Sequence, residues 1–244
     1  MSEIVKTEAV VLSKLNYSDS SKIVSLFTLS NGRMSAIVKG GRGKNSKTGS
    51  IVDPLNVIDI VFYKKESREI QLVSDAVLLL HNSNIREDFE RLKYSYAVLE
   101  LVRNLTLENE ANERLFNGIK RILFLLDTEK ELPEVLFCRF FFFFLQEIGY
   151  EIQVKQCSVC HKDLTKNGTF FFNYDKGMIC ANCGENHITN YSIPTELFSY
   201  FVCLKHSQSK LNWDRSILGK VISLLESFTK FHVSDFKGLN SLKM

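Results

Sequence analysis

No stretch of the sequence is apolar over enough length to cross a bilayer. The most apolar run, FFFFFL from Phe140 to Leu145, falls far short of the roughly 20 residues that a spanning helix needs. The N-terminus, MSEIVKTEAV, is polar and alternating and has no apolar core of the kind found in a secretory signal. A cytoplasmic location is therefore expected, where thiols stay reduced, and the 6 cysteines are not read as a disulfide framework. Catalytic signatures are missing too. GGRG at 40–43 lacks the Gly-Lys-Ser/Thr ending and the strand-to-helix setting of a phosphate loop. There is no G-x-S-x-G and no HExxH. The histidines, His81, His161, His187, His206 and His232, are scattered and pair with no evident carboxylate or nucleophile. These absences favour a binding protein over an enzyme. A last absence is local: no acidic residue occurs from Met34 to Val52.

That gap gives the net charge of +3 a location, because KGGRGKNSK places Lys39, Arg42, Lys44 and Lys47 within nine residues. The chain is long enough for two domains, and neither internal repeat nor low-complexity linker interrupts it. Residues 3–80 read as β-structure. EIVKTEAVVLS alternates, with Val5, Thr7, Ala9 and Val11 on one face. SKIVSLFTLS and MSAIVKG flank Asn31-Gly32, which predicts a hairpin with a type I′ turn. VIDIVFYKK and REIQLVSDAVLLL supply two further strands. Five short strands suit a small Greek-key barrel of the OB type, with a sandwich fragment as the alternative.

After about residue 82 the period changes. Phe89, Leu92, Tyr96 and Leu99 mark one face of a helix, whose start Asn84 and Glu87 could cap. Leu115, Ile119, Ile122 and Leu126 form a second stripe, and a third helix from Pro133 to Gly149 carries the five-Phe run as a central buried helix. Two more amphipathic stretches surround Thr195–Leu204 and Arg215–Phe231. The fold class expected is α+β. An OB-type barrel over 1–80 precedes a helical domain over 81–244, with a zinc-ribbon-like four-cysteine segment inserted at 155–187.

That segment holds Cys157-x-x-Cys160 and Cys180-x-x-Cys183, separated by 19 residues. A Cys-x-x-Cys turn presents two thiolates to one ion, and two such turns close a tetrahedral Zn²⁺ site at a spacing known for Cys₄ centres. TFFFNY, the Asp175-Lys176-Gly177 turn and Met178-Ile179 let the chain return on itself as a hairpin. Gly184 would let the backbone wrap closely round the sulfurs. A redox pair would need a helix start in a βαβ setting, which is absent, and two metal-free thiol pairs are the remaining reading. His161 and His187 are possible substitute ligands, while Cys138 and Cys203 sit on helical patterns as core residues. A site closed by four ligands is structural rather than catalytic.

The basic loop reads in two ways. It is either a solvated connection, or a flexible glycine-rich segment that drapes along a phosphate backbone. Tyr17, Phe27, Phe62 and Tyr63 lie on the surrounding strands as candidates for base stacking, although the default for Phe27 and Phe62 is core. The order of these features resembles the RecO family of bacterial recombination mediators. The resemblance is carried by YSDSSKIVSLFT, Asn31-Gly32, KGGRGKNSKTGSIVDPL, FFFFFLQEIGY with the cysteine pairs, and GLNSLKM. It runs nearly the whole length, departing at Gly41 and Gly43, where charge is commoner, and at His161, where glycine is common.

The resemblance implies a non-enzymatic, nucleoid-associated protein of recombinational DNA repair. Such a protein binds single- and double-stranded DNA, anneals complementary strands, and works with RecR and the single-stranded DNA-binding protein to load RecA. DNA contacts are expected from Lys39, Arg42, Lys44 and Lys47, with Arg33 and Tyr17 beside them. The apolar surplus around Phe140–Leu145 and Phe198–Leu204, rimmed by Arg121, Arg139, Lys205 and Lys210, predicts a groove for an acidic peptide with an apolar end. The resemblance suggests the C-terminal tail of the single-stranded DNA-binding protein as that peptide. A helical core packed on all sides is the alternative for these residues. The rival function is a zinc-ribbon scaffold or transcription-associated adaptor whose nucleic-acid contact is incidental, and the third is an enzyme of unlocated site.

Overall fold

The computed structural model describes residues 2–164, 168–206 and 211–243. Five strands open the chain: β1 (Glu3–Tyr17), β2 (Ser21–Thr28), β3 (Gly32–Val38), β4 (Val57–Lys64) and β5 (Ile70–Leu80), with a five-residue helix α1 (Lys47–Ile51) between β3 and β4. They pair in the order β1-β2-β3-β5-β4, and β4 pairs back onto β1. All contacts are antiparallel except the seam, where Ser35, Ile37 and the residue between them run parallel to Ile70–Leu72. This is the OB topology. Alternation turns Ala9, Val11, Val24, Leu26, Ile60 and Phe62 inward, all at most 1 % exposed. Burial of each large aliphatic or aromatic side chain contributes roughly 1.5–3 kcal/mol relative to leaving it in water.

β1 runs four residues past the predicted alternating run to Tyr17, and an irregularity between Val11 and Ser13 re-aims the strand. The β2–β3 connection also departs from expectation. Thr28 pairs with Gly32, so three residues form the loop, and positive φ falls on Gly32 (φ 63°) and not on Asn31. A Cβ at Gly32 would stand 1.8 Å from the Glu110 carbonyl oxygen, so close packing as well as the turn requires glycine.

The helices α2 (Ser83–Glu87), α3 (Phe89–Leu105) and α4 (Glu113–Thr128) follow. Asp88, not Asn84, caps α3, through its side chain to the Arg91 N–H, because α2 ends first and the chain restarts. The buried residues of α3 include Tyr94, Ala97, Val98, Leu101 and Val102, while Phe89 of the predicted stripe is 59 % exposed. On α4 the predicted stripe of Leu115, Ile119, Ile122 and Leu126 is buried. The buried Glu100 carboxylate accepts the N–H groups of Asn240 and Ser241 and the Ser241 hydroxyl, fastening the C-terminal 3₁₀ turn (Asn240–Lys243) to α3.

By packing, the chain forms two units, residues 1–130 with 240–244, and 131–239. The second is built on α5 (Pro133–Glu147), which α7 (Thr195–His206) and α8 (Arg215–His232) cover. Phe137, Cys138, Phe141 and Phe144 of α5 are fully buried. Between α5 and α7 stand the hairpin β6 (Phe170–Asn173) and β7 (Gly177–Cys180), the short α6 (Ala181–Gly184) and the strand β8 (Tyr191–Ile193), which pairs with β6. Phe170 stacks on Phe198 of α7 at 4.0 Å and Phe172 meets Phe228 of α8 at 5.9 Å, so one face of β6 is nailed to the helices. No described helix is long and apolar enough to cross a membrane.

Candidate nucleic-acid interface and metal centre

The basic loop leaves β3 at Val38 through successive turns. Gly41 N–H bonds to the Val38 carbonyl, Gly43 N–H to Gly40 and Ser46 N–H to Gly43, after which the Ser46 side chain caps α1. Gly49 of α1 lies so close to the loop that a Cβ there would stand 2.0 Å from the Gly41 carbonyl oxygen. A loop expected to drape is therefore folded on itself. It is also fixed to the β1–β2 turn, since the Arg42 N–H donates to the Ser20 carbonyl at 2.9 Å and its guanidinium donates to the Ser18 carbonyl. The Lys22 ammonium donates to the Gly49 carbonyl at 2.7 Å.

Lys39, Arg42, Lys44 and Lys47 are all exposed, and none forms an ion pair among the described residues. Other cations of this unit do: Lys6 with Asp59, Lys14 with Asp53 and Lys120 with Glu8. Arg33 joins that paired set. Its guanidinium donates to the Thr106 carbonyl at 3.0 Å and to Glu108 at 2.9 Å, so unlike the loop cations it is already engaged by the fold. Tyr17, 51 % exposed, pairs with Ser21 at the end of the barrel where the loop is fastened. Phe27 and Phe62 are buried.

The Sγ atoms of Cys157, Cys160, Cys180 and Cys183 all lie within 4.8 Å of one another. Four thiolates held about 2.3 Å from one tetrahedral ion stand about 3.8 Å apart, and Cys160 and Cys180 are separated by 3.8 Å. The first pair sits on a knuckle turn closed by His161 N–H to the Cys157 carbonyl, with His161 itself at φ 58°, the conformation that glycine adopts most easily. The second pair straddles the end of β7 and α6. Burial works against a Cys157 thiolate, but N–H groups of the knuckle and of Cys180 directed at its sulfur outweigh burial and bring its pKa down to about 6. Hydrogen bonding to Cys160, then burial, holds the Cys183 thiol up at about 12. Four thiols this close cannot all ionise without a cation among them, and a divalent ion supplies it. The cluster fits a metal ion, and neither His161 nor His187 belongs to it. Gly184 is required for another reason than the one expected: a Cβ there would stand 2.1 Å from the Phe171 ring. Cys138 and Cys203 are buried, and burial pushes the Cys138 thiol up.

Within the second unit, two residues of the expected basic rim are already engaged. Arg139 pairs with Glu131 and lies over Trp213, and Lys205 pairs with Glu151 and the Ile152 carbonyl with only 11 % of its side chain exposed. Arg121 is exposed but belongs to the other unit, and Lys210 lies outside the described residues. Phe140, Phe141, Phe142, Phe144 and Leu145 are buried and Phe143 is half-buried, because α7 and α8 pack on α5 and consume most of its apolar surface. What the sequence reading missed is the set of backbone N–H donors to Cys157 and the fastening of the loop to the β1–β2 turn. Neither leaves a side-chain signal.

An OB-type barrel with a basic loop, joined to helices that carry a four-cysteine centre, defines the class. The comparisons name it. Residues 1–81 match the family model for the Recombination protein O N terminal, and residues 86–242 match that for the Recombination protein O C terminal. A DNA repair protein RecO of Chlorobium phaeobacteroides is 31% identical over 242 residues, covering 94% of this chain and 93% of its own. That of Chloroherpeton thalassium is 28% identical over 98% and 96% of the two chains, and that of Chlorobaculum parvum is 40% identical over 66% and 62%. The chain belongs to the RecO family.

Proposed function

We propose that this chain is a DNA-binding recombination mediator of DNA repair. The basic loop and the barrel end around Tyr17 grip the phosphate backbone of single- and double-stranded DNA without choice of sequence. The chain anneals complementary strands, and with RecR and the single-stranded DNA-binding protein it assists the loading of RecA. One Zn²⁺ held by Cys157, Cys160, Cys180 and Cys183 keeps the hairpin of the second unit folded, in a structural role.

The observation that carries this reading is the clustering of exposed cations on the loop, in a stretch from Met34 to Val52 that holds no acidic residue. Several of its cations have carboxylate partners, whereas the four of the loop have none and are exposed together. Family membership and the relatives' repair role agree with it. Lys39, Arg42, Lys44 and Lys47 hold a strand by releasing its counterions, a term blind to sequence. A binding comparison separates this reading from the adaptor. Binding of the intact protein to two unrelated oligonucleotides of equal length should be equal within a factor of about two and should fall steeply as salt rises. Binding to one sequence alone, or binding indifferent to salt, would favour the adaptor.

A further inference from the structure

The four clustered sulfurs of the second unit lie close together but in unequal surroundings. Cys157 is buried, Cys180 and Cys183 are half-buried, and Cys160 is exposed. The Cys157 sulfur accepts the Val159 N–H at 3.5 Å and the Cys180 N–H at 3.3 Å. Donors of this kind stabilise a thiolate and lower its nucleophilicity. The Cys160 sulfur instead faces the Cys180 sulfur at 3.8 Å. Cys160 stands on the knuckle turn, outside any strand or helix, whereas Cys180 closes β7 and pairs with Phe170 of β6. One sulfur of the cluster is therefore both open to solvent and next to a second sulfur held in place by the sheet.

We infer that Cys160 is an oxidation site, that Cys180 resolves it into a disulfide, and that the hairpin opens as the cluster gives up its metal. The inference rests on the structural-metal reading. An ion bound by four cysteines keeps them deprotonated, so the sulfur that meets solvent is a thiolate. Exposed thiolates beside a resolving cysteine are the ones that two-electron oxidants of the peroxide class modify. The Cys160 thiolate attacks one oxygen of hydrogen peroxide. The S–O bond forms, the O–O bond breaks and hydroxide leaves, giving a sulfenic acid. The Cys180 thiolate then attacks the Cys160 sulfur. The S–S bond forms, the S–O bond breaks and a second hydroxide leaves. The two sulfurs together lose two electrons, and the peroxide gains them. Reaching disulfide distance requires the sulfurs to close by roughly 2 Å, which falls to the Cys160 side chain on its exposed turn and leaves β7 in place. Cys157 and Cys183 alone do not close a four-coordinate site. With β6 and β7 only four residues each, the hairpin loosens with the loss of the ion. The fold of the second unit thus responds to oxidant, and a thiol reductant with zinc restores it.

Replacing a ligand would itself remove the metal, so the test uses the unmodified full chain loaded with zinc. Hydrogen peroxide is titrated in at neutral pH while a metallochromic chelator reads released zinc and mass spectrometry maps the oxidised peptides. One zinc should be released for every two thiols lost, with a disulfide joining Cys160 to Cys180. With dimedone present, the first sulfenic adduct should fall on Cys160. Dithiothreitol with added zinc should restore the full metal content. The Cys138→Ala protein, which lacks a buried thiol outside the cluster, should release zinc at the wild-type rate. Zinc retained in excess peroxide, a first adduct on another cysteine, or disulfides confined to Cys157–Cys160 or Cys180–Cys183 would overturn the inference and leave the metal reading standing. A wild type purified without zinc would instead defeat the metal reading, and the inference with it.

Discussion

Replacing Cys157 or Cys180 by serine should reduce bound zinc from about one equivalent per chain to near none and unfold the hairpin of the second unit. Both residues lie where the hairpin has few other supports. β6 and β7 are four residues each, α6 is four, and β8 is three. Isolated hairpins of this size are marginal in water, so on the proposed reading an ion closes what burial of Phe170 and Phe172 begins. Loss of a structural metal is among the few point changes whose cost exceeds about 4 kcal/mol. Metal analysis and thermal unfolding of the intact chain measure it. Normal zinc content in the Cys157→Ser protein, or metal-free wild type with four reactive thiols after purification without chelators, would contradict the assignment. A control substitution at Cys138, buried in α5 and outside the cluster, should leave zinc content unchanged.

The second large effect concerns the loop. With Lys39, Arg42, Lys44 and Lys47 all changed to alanine, DNA binding should weaken for every sequence, and the salt slope should become shallower by about 3, at roughly 0.7–0.9 per phosphate contact. The fold should persist, because exposed charges change stability by about 0.5 kcal/mol or less. Arg42 is the exception to watch, since its guanidinium also fastens the loop to Ser18. The same protein with Arg42 retained should keep the unaltered melting temperature and show most of the loss. Unchanged affinity and slope in the quadruple variant would move the phosphate contacts elsewhere on the chain.

The parts of this molecule legible in sequence are those whose cause is local. Cysteine spacing states the four-cysteine cluster because two short turns each bring a pair of sulfurs together, and the α4 stripe states its buried face because one side alone of that helix is covered. α3 was misread for the opposite reason. It packs against α2, α4, β1 and the C-terminal turn, so its burial exceeds a single stripe and its period is blurred. The engagement of Arg33 has no signal in the sequence because its partner Glu108 lies 75 positions away. The apolar surplus of α5 and α7 looked like a groove because the hairpin rings that consume it, Phe170 and Phe172, join them through tertiary packing that no spacing announces. β8 has three residues and no pattern to read.

The central claim is that the chain handles DNA strands through non-specific backbone contact, and strand annealing tests it most directly. Complementary oligonucleotides of arbitrary sequence are mixed with the intact protein at rising salt, and duplex formation is followed in time. The account predicts acceleration over the uncatalysed rate without any nucleotide cofactor, similar for unrelated sequences and lost progressively as salt screens the loop. Annealing at the uncatalysed rate at low salt, under conditions where the protein carries its zinc and is folded, would contradict it.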